Sequence, residues 1–458
     1  MGDKNFAKRE MQNHLRTQCV VSLPAMEIRE MATGTRSGQI TFFANLRFYF
    51  FVNKFLSCNV FCKFARILPF ICLNMKEYRK ENIQRLALKL AGHPDAAFIL
   101  RQVEGWQKLS VKVPSWAAVD DLHYPHRLAL EQCSGEAAAT YKAKLIQRLF
   151  PTGGRLMIDL TGGLGVDFSF MARHFERAIY VERQQALCEL AQHNFPLLGL
   201  RHADVVHADL SDVLPTLPNA DLIFVDPARR DASGGKVFCL EACEPNMVEL
   251  LPKLLGLAPV VVIKLSTMLD LNRALQSLLG VTEVHVFAEH GECKDLLLVV
   301  ERQQNQTQEP RVYCADDSGE FVFTQSEEAE AQPEYAQDIE KYLYEPSAAI
   351  LKAGAFKRVA VHFSLKKLHS NSHLYTSDVL AEHFPGRCFQ VGRICCFNKK
   401  ELKTFVGGTK KANLTVRNFP STVADLRKRL KLAEGGDEYW FATTMNDGSH
   451  VLIATTKV

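Results

Sequence analysis

A chain of 458 residues that is 47% hydrophobic is too long for one ordinary core and suits two to four domains, each able to bury a sizeable apolar interior. Its 13 cysteines are scattered through apolar runs such as Phe238-Cys239-Leu240 and Ile394-Cys395-Cys396-Phe397, which excludes a disulfide framework and fits a reducing cytoplasm. The formal net charge of +4 hides an excess of six positive charges over residues 1–74 (10 against 4), nine negative over 301–345 (12 against 3) and ten positive over 351–458 (18 against 8), so the C-terminal part could meet a polyanion, unless it is only a solvated basic face.

In chain order, residues 1–74 are crowded with phenylalanines (Phe42, Phe43, Phe48, Phe50, Phe51, Phe55, Phe61, Phe64 and Phe70) but interrupted by Arg47, Lys54, Lys63 and Arg66. No apolar run reaches transmembrane length, and no signal-peptide pattern is present. Such a segment could lie on a membrane surface; the preferred reading is that Met75 is the start and residues 1–74 are a non-native or disordered extension. The helically spaced pairs Cys58/Cys62 and Cys239/Cys243 lack a second Cys or His pair, so no structural zinc, and no metal, is expected.

Residues 75–150 read as a helical N-terminal region. Ile83, Leu86, Ala87 and Leu90, then Ala97, Leu100 and Val103, recur at helical spacing, and Ser134 suits the N-cap of a helix from Glu136 to Phe150. Residues 151–302 alternate strands with helices. The last two strands, Val281 to Ala288 and Lys294 to Glu301, are joined by a loop (Glu289 to Cys293) that admits a hairpin and no crossover helix. Residues 303–343 read as an acidic and polar connecting segment in which Arg311 to Phe323 could pair as a hairpin. Residues 344–386 read as a small α/β unit, and 387–458 as strands, a helix from Thr422 to Leu432 and two closing strands about an Asp447-Gly448 turn.

The residues able to carry chemistry fall at strand ends. Leu156 to Asp159 runs as an apolar strand into Leu160-Thr161-Gly162-Gly163-Leu164-Gly165-Val166-Asp167, where glycines at 162, 163 and 165 permit positive φ and close approach of a ligand to the backbone. Ala178 to Glu182 is a second strand, ending in an acid about twenty residues further on, where a carboxylate can accept both hydroxyls of a ribose. Val205 to Asp209 ends a third strand in an acid, and Leu222 to Val225 leads a fourth into Asp226-Pro227-Ala228-Arg229-Arg230. Ligands of open α/β sheets bind at the carboxyl ends of strands, so these four ends describe one site for a nucleotide-like cofactor. An NAD-binding sheet is the rival reading, disfavoured because Asp159 precedes the glycines and because Asp-Pro-Ala-Arg-Arg has no role in hydride transfer.

This strand series resembles the class I S-adenosylmethionine-dependent methyltransferases. The resemblance implies an α/β fold with a Rossmann-like, mostly parallel sheet and one antiparallel strand near its end, a helical N-terminal region and small α+β C-terminal domains. It implies S-adenosylmethionine as cofactor, held by Asp159, Thr161, Gly162, Gly163, Gly165 and Asp167, with Glu182 on the ribose and Asp209 on the adenine. Asp226 and Pro227, with Arg229, would form the catalytic loop, which is related to the Asn/Asp-Pro-Pro-aromatic motif of enzymes that methylate exocyclic amines. There the side chain and a following carbonyl accept hydrogen bonds from the amine and localise its lone pair.

Arg229 stands where an aromatic residue would stack. Arg229 and Arg230 could stack on, grip or neutralise substrate, with Arg230 taken as substrate-binding, or either could pair with Asp231. Lys264 either orients substrate or phosphate or is a structural lysine. Cys239 and Cys243 read as core residues rather than as the nucleophile that carbon-5 pyrimidine methylation needs.

Over residues 75–458 the chain further resembles a bacterial family that joins such a catalytic domain to a ferredoxin-like domain (344–386) and a THUMP-like domain (387–458). The resemblance is carried by Glu131-Gln132-Cys133-Ser134, the glycine loop, Asp226 to Asp231, Lys264-Leu265-Ser266, Tyr344-Glu345-Pro346 and Glu434-Gly435-Gly436-Asp437. THUMP domains elsewhere accompany RNA-modifying enzymes, so ribosomal or transfer RNA is the implied partner, with guanine N2 favoured by the glycine loop. Lys410 and Lys411, with Lys399, Lys400, Lys403 and Arg417, would contact phosphates. A small-molecule or protein substrate, or a non-catalytic RNA-binding role, are the alternatives. A chain beginning at Met75 is expected to stay folded and keep its cofactor affinity. Loss of a cooperative thermal transition on removing residues 1–74 would show instead that the phenylalanine-rich segment is part of a core.

Overall fold

The computed structural model describes residues 76–227, 244–302 and 309–458. The expectations for residues 1–74, for Arg229 and Arg230, and for Cys239 and Cys243 lie outside them.

Nine strands build the first sheet: β1 (Gly154–Asp159), β2 (Phe175–Glu182), β3 (Ala203–His207), β4 (Leu222–Val225), β5 (Val260–Leu265), β6 (Val281–Glu289), β7 (Glu292–Glu301), β8 (Arg311–Asp316) and β9 (Gly319–Thr324). Their order is β3-β2-β1-β4-β5-β7-β6-β8-β9. β1 to β5 are parallel, while β7 slots antiparallel between β5 and β6. The cause is local. Only His290 (φ 52°) and Gly291 (φ 77°) separate β6 from β7, and two successive residues with positive φ make the tight turn that sends a strand straight back along its neighbour.

The sheet is buried on both faces, as near-continuous apolar strands require. Met157 of β1 packs with Leu109, Trp116 and Ile146 of the helical N-terminal region. Its neighbour Ile158 packs on the opposite face with Leu250, Leu251 and Leu254 of the helix Met247–Leu257. In the N-terminal region Leu86, Leu90 and Val103 are buried as their spacing suggests, whereas Ala87 and Ala97 are exposed; the inner stripe of the helix Ala96–Lys112 runs through Ile99, Gln102, Val103 and Leu109. Gly105 on that stripe is obligatory, since a Cβ there would sit 2.2 Å from the Cβ of Tyr124. Ser134 does not cap the helix Glu136–Leu149. Gly135 holds the cap position, and the Ser134 hydroxyl is used in the site below.

Residues 311–324 do more than connect. β8 joins β6 in parallel and β9 closes antiparallel on it, because Val312, Cys314, Phe321 and Phe323 form one apolar face that packs with Ala349 and Ile350. The following residues form a seven-stranded sheet in the order β11-β12-β10-β13-β16-β15-β14, with β10 (Tyr342–Pro346), β11 (Lys366–Lys367), β12 (Tyr375–Ser377), β13 (Gly386–Cys396), β14 (Asn413–Arg417), β15 (Glu438–Thr444) and β16 (His450–Lys457). β13 pairs with β10 on one side and β16 on the other, so one continuous sheet spans the two small units that the sequence suggested. The Asp447-Gly448 hairpin forms between β15 and β16, and Thr422 caps the helix Val423–Leu430. Among the described residues no helix is long and apolar enough to cross a membrane.

Glu345 explains why Tyr-Glu-Pro stands at β10. Its carboxylate, 4% exposed, accepts Arg387 of β13 on one oxygen and Arg417 of β14 on the other, the latter at 2.8 Å. Arg417 thus gives its Nε and Nη2 hydrogens to Glu345, so its charge is already paired within the sheet. Glu345→Ala is expected to cost about 2 kcal/mol, less than the roughly 3–5 kcal/mol of a wholly buried pair because both guanidiniums keep some solvent. Calorimetric melting of the full chain would show it, and an unchanged transition would mean that the pair contributes nothing.

Candidate active site

A cavity of about 1890 Å³ opens at the carboxyl ends of β1, β2, β4 and β5. Asp159, Thr161, Gly162, Gly163, Gly165, Asp167, Glu182, Asp209, Asp226, Pro227 and Lys264 all line it. The four strand ends read from sequence do converge on one place. Lys410 and Lys411 do not line it; they are exposed in the C-terminal sheet domain, just before β14.

The turn after β1 keeps its glycines for a reason other than ligand approach alone. A Cβ on Gly162 would lie 2.1 Å from the Tyr180 ring, and one on Gly165 (φ +84°) would lie 2.9 Å from the Phe195 ring. Two rings therefore support the loop from beneath. A Cβ on Gly163 (φ +56°) would make only an ordinary contact with the Thr161 carbonyl oxygen at 3.7 Å, so glycine is favoured there by the backbone angle. Glu182 holds the same turn: it accepts the Gly163 N–H at 2.9 Å and the Gln184 N–H at 2.8 Å, leaving one lone pair on each oxygen for a ligand. Asp209 is exposed and caps the short helix Leu210–Val213 through the Ser211 N–H at 3.0 Å, a bond that holds its carboxyl below its ordinary pKa.

Asp226 lies where β4 ends at the cavity. Its side chain is 40% exposed, its N–H donates to Thr161 Oγ1 at 2.7 Å, and Lys264 Nζ donates to its Oδ2 at 2.8 Å. Lys264 also reaches Ser134 Oγ at 3.2 Å and Asp167 Oδ2 at 3.4 Å. All three ammonium hydrogens are thus committed inside the protein, so Lys264 is no free phosphate ligand. Burial alone would lower its pKa, but Asp226, Asp167 and Asp295 together raise it well above the ordinary lysine value.

Asp167 likewise turns inward. Burial would raise its carboxyl, yet Lys142, Lys264 and the Ser134 hydroxyl (2.7 Å) hold it below the ordinary carboxylate range. Lys142 is fully buried and pairs with Asp295 as well as with Asp167 Oδ1 at 3.1 Å.

Sequence reasoning missed Lys142, Asp295 and the role of Ser134, because a lysine on an amphipathic helix and an aspartate in an apolar strand carry no local sign of pairing. It also missed the roof. Asn194 clamps His123 by accepting its N–H (2.9 Å) and donating to its C=O (2.8 Å), and the two rings His123 and His193 stack at 3.7 Å. This fixes the segment whose residues 123–126 line the cavity. Arg101 lines it from the same side, with a buried Nε that has no hydrogen bond among the described residues.

A parallel sheet with β7 inserted antiparallel, and with acidic strand ends around a glycine turn, is the class I methyltransferase fold. Residues 342–385 match the model of a ferredoxin-like domain and residues 386–457 that of a THUMP domain-like unit. A crystal structure of a candidate methyltransferase from Porphyromonas gingivalis W83 superposes with a TM-score of 0.76 at 38% identity, covering 85% of this chain and 97% of that one. An uncharacterised S-adenosylmethionine-dependent methyltransferase of Mycobacterium tuberculosis, in strains CDC 1551 / Oshkosh and ATCC 25618 / H37Rv, is 23% identical over 326 residues, 70% of this chain and 83% of the relative. The chain belongs to the family of the Porphyromonas gingivalis protein, class I methyltransferases that end in ferredoxin-like and THUMP-like domains.

Asp159 carries a pH signature. Burial, with Asp167, Asp226 and Glu182 nearby, pushes its carboxyl up to about 8, against the opposing Thr161 N–H. The folded chain therefore keeps a proton there that the unfolded chain loses above about pH 4, so stability falls between about pH 4 and pH 8. Asp159→Asn, which can still accept the Thr161 N–H, is expected to melt several degrees above the wild type at pH 8 and close to it at pH 4. Parallel melting curves across that range would sink the assignment.

Proposed function

We propose that the protein transfers the methyl group of S-adenosylmethionine to an exocyclic amine of an RNA base, guanine N2 foremost, in ribosomal or transfer RNA. The donor set suits that cofactor. Glu182 and Asp209 line a concave site for a ligand that carries a sulfonium and an ammonium, Asp159, protonated below about pH 8, adds a hydrogen-bonding carboxyl beside them, and Arg101 on the same wall offers a cation to the ligand's carboxylate. Glu182 retains the two lone pairs that a ribose diol needs. When bound, S-adenosylmethionine supplies an electrophilic methyl group.

The chain's own residues do the positioning. Asp226 carries the reading: its Oδ1 has no hydrogen bond among the described residues, while Lys264 and Thr161 fix the rest of the group at the mouth of the cavity. An amine N–H donated to Oδ1 would orient the nitrogen lone pair away from the carboxylate. Buried Pro227 stiffens the turn behind it. Lys264, with its raised pKa, stays protonated and serves as a positioning residue for Asp226 rather than as a base. RNA as acceptor is supported by the THUMP-like match and by the excess of positive charge beyond residue 351, with exposed Lys410 and Lys411 as phosphate contacts.

Glu182→Ala is expected to weaken S-adenosylmethionine binding about tenfold or more, from the roughly 1.5–3 kcal/mol of charge-assisted bonds. Asp226→Ala should keep affinity within about threefold and lose methyl transfer. Calorimetry measures the first, and mass spectrometry of nucleosides from fractionated RNA, with and without the protein, identifies the base for the second. Near-normal turnover by Asp226→Ala would remove the amine mechanism.

A further inference from the structure

A second cavity, of about 580 Å³, opens on the C-terminal sheet where the residues after β14 and the β15–β16 turn meet the loop after Leu368. Phe419 and Pro420 supply apolar wall, while His369, Asn418, Thr444 and His450 supply polar groups.

The hydrogen bonds decide which polar atoms remain available. The Asn371 backbone N–H, which can only donate, meets Nδ1 of His369 at 3.0 Å, and the Asn418 amide nitrogen lies 3.0 Å from the same atom. Nδ1 is therefore unprotonated, and the neutral ring carries its hydrogen on Nε2, a donor with no partner among the described residues. Across the cavity Thr444 gives its single hydroxyl hydrogen to the Asn418 carbonyl. Toward His450 Nδ1, 3.1 Å away, it can only accept. The neutral His450 ring thus holds its hydrogen on Nδ1 and presents Nε2 as an acceptor. Asn418, its NH₂ turned to His369, presents Oδ1 as a second acceptor.

The surroundings are aromatic and basic. Phe419 meets His450 edge to face at 5.2 Å and Phe397 at 4.8 Å, and the Arg429 guanidinium lies 4.4 Å over Phe397. The last turn of the helix Val423–Leu430 carries Arg427, Lys428 and Arg429.

One donor and two acceptors facing a shared space beside an aromatic wall match the mixed edge of a planar heterocycle. The basic helix end suits a phosphate backbone attached to it. We propose that this cavity takes one unpaired nucleobase of the RNA, separate from the base presented to Asp226; this rests on RNA being the substrate.

The test uses the full chain with fluorescein-labelled octaribonucleotides of each single base and an abasic octamer of equal charge, titrated at two salt concentrations. His369→Ala combined with His450→Ala, and separately the milder His450→Gln, are compared with the wild type. The double variant is expected to lose about tenfold in affinity for the best-bound octamer and to level its preference among bases. The single variant should lose part of that, and affinity for the abasic octamer and the salt slope should not change. Variants that bind every octamer as the wild type does, or that lose the abasic octamer equally, overturn the proposal. A wild-type chain that binds no octamer overturns the RNA reading and the cavity with it, whereas RNA binding that both variants keep overturns the cavity alone.

Discussion

An ammonium group removed from water costs several kcal/mol unless carboxylates and hydrogen-bond acceptors replace the lost hydration. Lys142, fully buried between Asp295 and Asp167, and Lys264, held by Asp226, Asp167 and Ser134, are two such groups sharing one carboxylate. The five charged members come from the helix Glu136–Leu149, from β5 and β7, from the start of the helix after the glycine turn, and from the end of β4, and Ser134 comes from just ahead of the first of these. No one of these elements can shift without leaving a buried charge uncompensated. Asp226 keeps one carboxylate oxygen without a hydrogen bond among the described residues, at the edge of the cavity it lines. Its position is therefore set by the interior of the protein, which is what an in-line displacement would demand of the group that aims the acceptor in the proposed reaction.

The glycine turn obeys a second constraint, from below. Tyr180 and Phe195 occupy the volume that side chains at 162 and 165 would need, and Tyr180 donates its hydroxyl to the Gly163 carbonyl. Glu182, on the same strand as Tyr180, accepts the Gly163 N–H. One strand thus shapes the turn twice, with an aromatic ring under it and a carboxylate at its tip. The carboxylate that faces the ribose in the proposed complex also fixes the loop around it, so loss of Glu182 removes a ligand contact and a support for the turn together.

How much could be read from residues alone follows from the range of the interactions. Strand ends, the glycine turn and the β6–β7 hairpin are local patterns, and Asp159, Glu182, Asp209 and Asp226 were legible because each closes a short apolar run. The Lys142–Asp295 pair spans 153 residues and joins a helix to a strand with no shared periodicity. Ser134 looked like a cap because a serine before a helix usually is one, and only the fold reveals the Asp167 carboxylate within its reach. Arg417 looked available to phosphate for the same reason: its partner Glu345 lies 72 residues earlier. The outer hairpin at 311–324 was readable as a hairpin, but its docking beside β6 depends on an apolar face supplied by residues 349 and 350.

The division of charge between the two ends of the molecule bears on how an RNA could be handled at all. The catalytic cavity is ringed by carboxylates, which suits a cationic cofactor and repels a phosphate backbone within a Debye length of roughly 8 Å. A polyanion held over that cavity would pay for every phosphate brought near Glu182, Asp209 or Asp226. A neutral base turned out of the strand would not. Affinity for RNA on the proposed reading must then come from elsewhere, and the exposed lysines and arginines beyond residue 351 are the cationic surface on the same chain. On that reading the acidic site would select an unpaired base by electrostatics before any hydrogen bond forms, while the basic sheet would hold the backbone that the site itself rejects.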